Sequence, residues 1–247
     1  MKYKSRSVQL DWGAMAYWDT GGAGMPLLFL HGTGCDASDW EETARWISPG
    51  IRLIAMDFRG HGGSATPDGP FTFTDLALDV CRLVEHLALP AVVLAGHSLG
   101  GMAAMLAAQH CDQVAGLVLL EGWTRLAASG SFMDGRFYGH LDPSRVEAIR
   151  GKYDAMRKRI AAEIWEPFWK SVQASDGYAW LEKAGIPVIE AYGSLGKEAD
   201  TESRLCVPSN PRIAWRWIDG AGHYLPHEAP RETAEACMAG WRAAAQR

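Results

Sequence analysis

"AVVLAGHSLGG", residues 91–101, decides how the rest of the chain is read. Five apolar residues run into Gly96-His97-Ser98-Leu99-Gly100, and the alanine-rich "GMAAMLAAQHC" (101–111) follows. A short apolar run is a buried strand and the alanine-rich stretch is a helix, so G-x-S-x-G falls on the turn between them. That placement holds a serine in a strained, exposed conformation, and glycines two residues either side avoid a steric clash. The first amides of the helix then point at the place where negative charge would develop.

Outward from this turn, the same alternation recurs. "PLLFLHG" (26–32), "IRLIAMDFRGHGGS" (51–64) and "VAGLVLLEG" (114–122) are apolar runs ending in glycine-rich loops, with helices expected over 38–47 and 74–87. The helix over 38–47 is expected to be capped by Ser38 or Asp39. Two further strands, near 8–12 and 14–19, turn about Gly13. "IPVIEAYGS" (186–194), "RIAWRWIDGAGH" (212–223) and a last helix over 229–245 complete the pattern. Apolar strands alternating with helices predict a mostly parallel sheet covered on both faces.

The alternation stops between 123 and 184, which reads as an insertion. Asp142-Pro143 starts a helix, with aspartate as N-cap and proline at the first position. Val146, Ile149, Tyr153, Met156, Ile160, Ile164 and Phe168 continue one apolar face, and Pro167 is expected to break or kink it. Arg150, Lys152, Arg157, Lys158 and Arg159 are expected on the solvated face.

Length and composition narrow the function classes. The 247 residues, 48% hydrophobic and 21% charged, are enough for a full core. A net charge of −5 gives no electrostatic footprint for nucleic acid or an anionic membrane. Five scattered cysteines, without a C-x-x-C pair, argue against a disulfide framework or a zinc site. No metal or organic cofactor is implied. The first residues lack an apolar signal core and no run approaches membrane-spanning length, so the cytoplasm is the expected compartment.

Acyl transfer at Ser98 needs two N–H donors and a base. "HGTG" (31–34) supplies a loop for one donor, Thr33, and Leu99 supplies the other. Of eight histidines, His223 in "GAGHYLPHEAP" (220–230) follows the last strand in a glycine-rich loop from which it can reach the serine. His227 precedes Pro230 and reads better as the start of the terminal helix.

Together "HGTG", "DFRGHGGS" (57–64), "GHSLGG" (96–101) and "GAGHYLPHEAP" resemble the α/β-hydrolases, in that family's order and over essentially the whole chain outside 123–184. The resemblance implies an eight-stranded sheet, residues 1–122 and 185–247 as the core, and a helical cap over 123–184 inserted after strand 6. It also implies a Ser-His-acid triad, but the acid departs from pattern. The family usually carries it as Y-G-x-x-D, and "IEAYGSLGKEAD" (189–200) holds Gly196 at that place. Glu198 and Asp200 lie further along the loop. Glu121, directly after "LVLL" and 23 residues past Ser98, would come to the same sheet edge one strand over, an arrangement similar to that of haloalkane dehalogenases. A carboxylate there needs a partner in the interior, and an imidazole that becomes cationic is one. Glu121 is therefore the leading acid, with Glu198 and Asp200 as alternatives.

Dehalogenases and epoxide hydrolases of similar fold attack with aspartate; this chain has Ser98. A small apolar or aromatic carboxylic ester is the expected substrate. C–C bond hydrolysis, lactone or thioester cleavage and cofactor-free lyase chemistry would use the same motifs, and a non-catalytic ligand receptor would share the scaffold. His31, Trp123, Phe132, Phe137, Trp165 and Trp169 are candidate pocket residues.

Overall fold

The computed structural model describes residues 4–132 and 136–246, and for 130–132 the main chain only. Eight strands form one sheet: β1 (Ser5–Leu10), β2 (Gly13–Asp19), β3 (Leu27–Leu30), β4 (Leu53–Met56), β5 (Val92–His97), β6 (Val114–Leu120), β7 (Val188–Gly193) and β8 (Ile213–Ile218). Their spatial order is β1-β2-β4-β3-β5-β6-β7-β8. β2 runs against both its neighbours, and from β4 to β8 every pairing is parallel.

The helices among the described residues are α1 (Glu41–Ala44), α2 (Phe73–His86), α3 (Leu99–Ala107), α4 (Pro143–Arg159), α5 (Ala162–Ala174), α6 (Tyr178–Lys183), α7 (Thr201–Arg204), α8 (Leu225–Glu228) and α9 (Pro230–Ala245), with α2 and α3 on one face of the sheet and α1 and α9 on the other. Strand residues alternate between two cores because side chains alternate across a sheet. Leu28, Leu30, Leu94, Leu117 and Leu119 pack under α2 and α3. Leu27, Phe29, Val93, Ala95, Val118 and Leu120 pack under α1 and α9. Truncating one such leucine to alanine costs about 2–5 kcal/mol. Thr72 caps α2 in a reciprocal box with Asp75, and the Asp142 carboxylate accepts the Ser144 and Arg145 amides at the start of α4.

β7 carries an unusual interior residue. Glu190 is fully buried, accepts the Tyr192 hydroxyl at 2.9 Å, and its second oxygen has no hydrogen-bond partner among the described residues. Burial pushes this carboxyl up to about 8.

Three local expectations are corrected. In place of a helix over 38–47, a 3-10 turn (Ala37–Trp40) leads into the short α1, and the capping residue is Asp36. The helix expected to run from 143 to 168 breaks at Ile160, whose φ and ψ of −99° and 116° are extended. Ile160 turns inward onto Gly60, where any Cβ would lie 2.4 Å from its Cδ1. Pro167 sits inside α5 without ending it, on the exposed side of the helix.

The third, for the basic residues of α4, is corrected in part: Arg150, Lys158 and Arg159 are exposed as expected, whereas Lys152 and Arg157 are half-buried. Lys152 binds Asp36 and Asp39 at 3.0 and 2.8 Å, and Arg159 donates to the Gly62 and Ser64 carbonyls from the surface. Arg150 and Arg157 lie over the rings of Tyr138 and Trp165. Lys152 and Arg159 fasten the helix to the loops after β3 and β4, which present carboxylates and carbonyls to it. Among the described residues the cysteines are free thiols, and no helix is long and apolar enough to cross a membrane.

Candidate active site

Parallel pairing brings the C-terminal ends of β3, β5, β6, β7 and β8 to one edge, since Leu30 pairs with Gly96, His97 with Leu120, Leu120 with Ala191 and Gly193 with Ile218. Open parallel sheets bind ligands at that edge. Ser98 leaves β5 with φ 53° and ψ −120°, a backbone that side-chain-bearing residues rarely adopt. The turn closes only because of its glycines. A Cβ at Gly96 would lie 2.2 Å from the Gly100 carbonyl oxygen, and one at Gly100 the same distance from that of Leu30. Leu99 opens α3, so its N–H has no carbonyl one turn earlier to bond.

Glu121 leaves β6 by a second left-handed turn, φ 52°, its own N–H bonded to the Ala191 carbonyl at 2.8 Å. The turn folds its carboxylate under the neighbouring loops, leaving it 1% exposed. Its Oε1 accepts the Gly193 amide at 2.9 Å and the Arg136 guanidinium at 2.8 Å. Its Oε2 lies 3.4 Å from His223 Nδ1. That is longer than the roughly 2.7–2.9 Å of a charge-assisted bond.

Burial pushes the Glu121 carboxyl up to about 7, against the pull of Arg136, the Gly193 amide and His97 toward the anion. Burial, with Arg136 adding to it, pushes the His223 imidazole down to about 3. Both shifts have the same cause: in a dry interior the uncharged forms are favoured.

The histidine loop is held at several points. His97 Nε2 donates to the His223 carbonyl at 2.9 Å, and the His223 amide donates to the Arg136 carbonyl at 3.2 Å. Glu228 accepts the Gly222 and Tyr224 amides at 2.8 and 2.9 Å. The imidazole stacks on Trp123 (centroids 5.0 Å apart, 10° between planes) and on Phe137 (5.1 Å, 13°). His227, the other histidine of this segment, has its Nε2 2.8 Å from Asp39 instead.

A cavity of about 650 Å³ opens over this group. Thr33, Ser98, Leu99 and His223 line it, together with Trp123, Phe137, Trp165 and Trp169. Its wall is mostly apolar and its size is ordinary for a small-molecule site. His31 is a correction: it lies outside this lining, donating from Nδ1 to the Gly32 carbonyl and accepting the Phe58 amide at Nε2, so both nitrogens brace the loop. The side chain of Phe132 lies outside the described residues. Glu198 and Asp200 face solvent and pair with Arg204 at 2.6 and 2.8 Å.

Arg136, His97 and Glu228 are the members of the site that motif reading misses. The only trace of Arg136 is one cation set among small and aromatic residues in "GRFYG" (135–139).

The chain spans little more than half, or less, of the length of the curated relatives it matches. It is 34% identical over 177 residues to a putative non-heme haloperoxidase of Mycobacterium phage D29, covering 71% of this chain and 57% of that one. It is 35% identical over 98 residues to 3-oxoadipate enol-lactonase 2 of Acinetobacter baylyi, covering 39% and 37%. Among solved structures, a thermophilic esterase from Thermogutta terrifontis superposes with TM-score 0.71 at 23% identity, over 98% of this chain and 99% of that one. A haloalkane dehalogenase from Bradyrhizobium elkanii does so with TM-score 0.75 at 21% identity, over all of both chains. At such identities the structural likeness is one of fold. The alpha/beta hydrolase family model matches residues 27–236, most of the chain and every strand from β3 to β8. The chain belongs to the alpha/beta hydrolase family.

Proposed function

We propose that the protein is a serine hydrolase that cleaves a small, apolar or aromatic carboxylic ester through an acyl-enzyme. The observation that carries this reading is the left-handed turn that presents Ser98 to the cavity, on the sheet edge where His223 faces the buried Glu121.

In this reading Ser98 Oγ attacks the substrate carbonyl while His223 takes its proton. The Leu99 and Thr33 N–H groups bind the oxyanion, and Glu121 steadies the imidazolium. Collapse expels the alcohol with the proton held by His223. Water then attacks the acyl-enzyme, gives a proton to His223, and the acid leaves as Ser98 is reprotonated. Residues 123–184 act as a cap whose aromatic side chains, Trp123, Phe137, Trp165 and Trp169, bind the apolar part of the substrate and exclude water. The chain acts on its own small-molecule substrate, with no nucleic acid or membrane partner.

A lactone, being an internal ester, needs the same steps, and the enol-lactonase relative favours including it. A fluorophosphonate probe tests the reading directly: Ser98 of folded protein is expected to carry the adduct by mass spectrometry. Absence of that adduct would turn the scaffold into a ligand receptor. Esters, lactones, thioesters and vinylogous diketones, each assayed with wild type and Ser98→Ala, assign the bond that is cleaved.

A further inference from the structure

We propose that Arg136 is a positioning residue, which holds Glu121 and His223 in the mutual placement that acyl transfer requires; this rests on the hydrolase reading above. Arg136 comes from the insertion yet is only 3% exposed. A buried ion pair is seldom a gain over an apolar pair of the same size. Its position calls for another explanation, and the geometry supplies one.

The carboxylate of Glu121 is divided between its partners. Oε1 takes the Arg136 guanidinium and the Gly193 amide, which fixes the plane of the group and leaves Oε2 turned to His223 Nδ1. The same guanidinium nitrogen donates to the Gly193 carbonyl at 3.1 Å, and the Arg136 carbonyl accepts the His223 amide. One residue thus ties together the end of β6, the end of β7 and the loop after β8. Its charge also opposes protonation of Glu121, so the carboxylate stays available to the imidazolium that forms during turnover.

The titratable groups facing this cluster are His97 from the end of β5, Glu190 and Tyr192 from β7, and His223, Tyr224 and Glu228 from the loop after β8 and from α8. None of them is a fixed cation able to replace the guanidinium.

The sign of the effect follows. Without Arg136 the carboxyl of Glu121 rises further, and the imidazole, which Arg136 depresses, rises as well. Both changes favour the inactive protonated forms, so the acid limb of kcat/KM moves to higher pH.

The experiment is the pH–rate profile of 4-nitrophenyl ester hydrolysis by wild type, Arg136→Gln and Arg136→Lys, with melting curves to verify folding. Arg136→Gln is expected to shift the acid limb up by about one unit or more, roughly a tenfold loss near neutral pH. Much of that rate should return above pH 9. Arg136→Lys should shift less, and guanidinium at tens of millimolar should restore part of the loss in Arg136→Ala. The double variant Glu121→Gln/Arg136→Gln should be no slower than Glu121→Gln.

A loss that is equal at every pH, an unmoved limb, or multiplying losses in the double variant would overturn the proposal. A second readout does not depend on turnover. The infrared carbonyl band of protonated Glu121, identified by its absence in Glu121→Gln, should titrate at higher pH in Arg136→Gln. An unmoved band overturns the proposal, whereas failure of Ser98 to label removes only the hydrolase reading.

Discussion

The ends of β6 and β7 are adjacent in space and treat their carboxylates in opposite ways. Glu121 follows its strand at once, through a left-handed turn, and is buried against Gly193, Arg136 and His223. Past β7 the chain runs outward, so that Glu198 and Asp200 have side chains 70% and 65% exposed and share Arg204. A surface pair of that kind contributes about 0–1 kcal/mol. What separates the two ends is how soon the backbone turns. The left-handed turn at Glu121 folds its side chain back under the end of β7, whereas Glu198 and Asp200 lie on a loop that has already reached solvent.

The largest way to break the comparison is at Ser98, the proposed nucleophile. Ser98→Ala is expected to lower kcat/KM for an ester by about 10⁴-fold or more with the fold intact. Glu121→Gln comes next, with an expected loss of about 10²–10⁴-fold in the same assay. Glu198→Gln and Asp200→Asn are expected to stay within about twofold of wild type. If either abolishes turnover while Glu121→Gln is active, the β7 loop holds the acid and the comparison reverses. The smallest effect is expected where α4 meets the sheet layer. Lys152→Ala should cost about 1 kcal/mol, seen as a fall of about 2–4 °C in Tm.

Much of this site was legible in the chain, for physical reasons that differ by residue. The Ser98 turn could be read because its steric demands fall on glycines at fixed offsets, and Gly96 and Gly100 meet backbone at 2.2 Å. Glu121 could be placed because a parallel sheet converts residue spacing into position along one edge. Arg136 could not, since its partners lie 15 and 57 residues away and no periodicity connects them. The break at Ile160 was hidden for a similar reason: it depends on the seat offered by Gly60, whereas Pro167 is a strong local signal with a weak consequence. The partners of Lys152 and Arg159 are not legible in α4 itself, because composition describes a face without saying what lies opposite.

The lone carboxyl inside β7 makes folding an acid–base reaction. Glu190 is raised from 4.5 to about 8, so its stabilising contribution is complete below pH 4.5 and is lost as pH rises through 8. Near pH 7 the unfolded chain holds this group as an anion and the folded chain holds it protonated. Each molecule that refolds should therefore withdraw about one proton from the solvent at Glu190. An indicator dye in weak buffer would register that uptake as a rise in pH, and Glu190→Gln should remove its share.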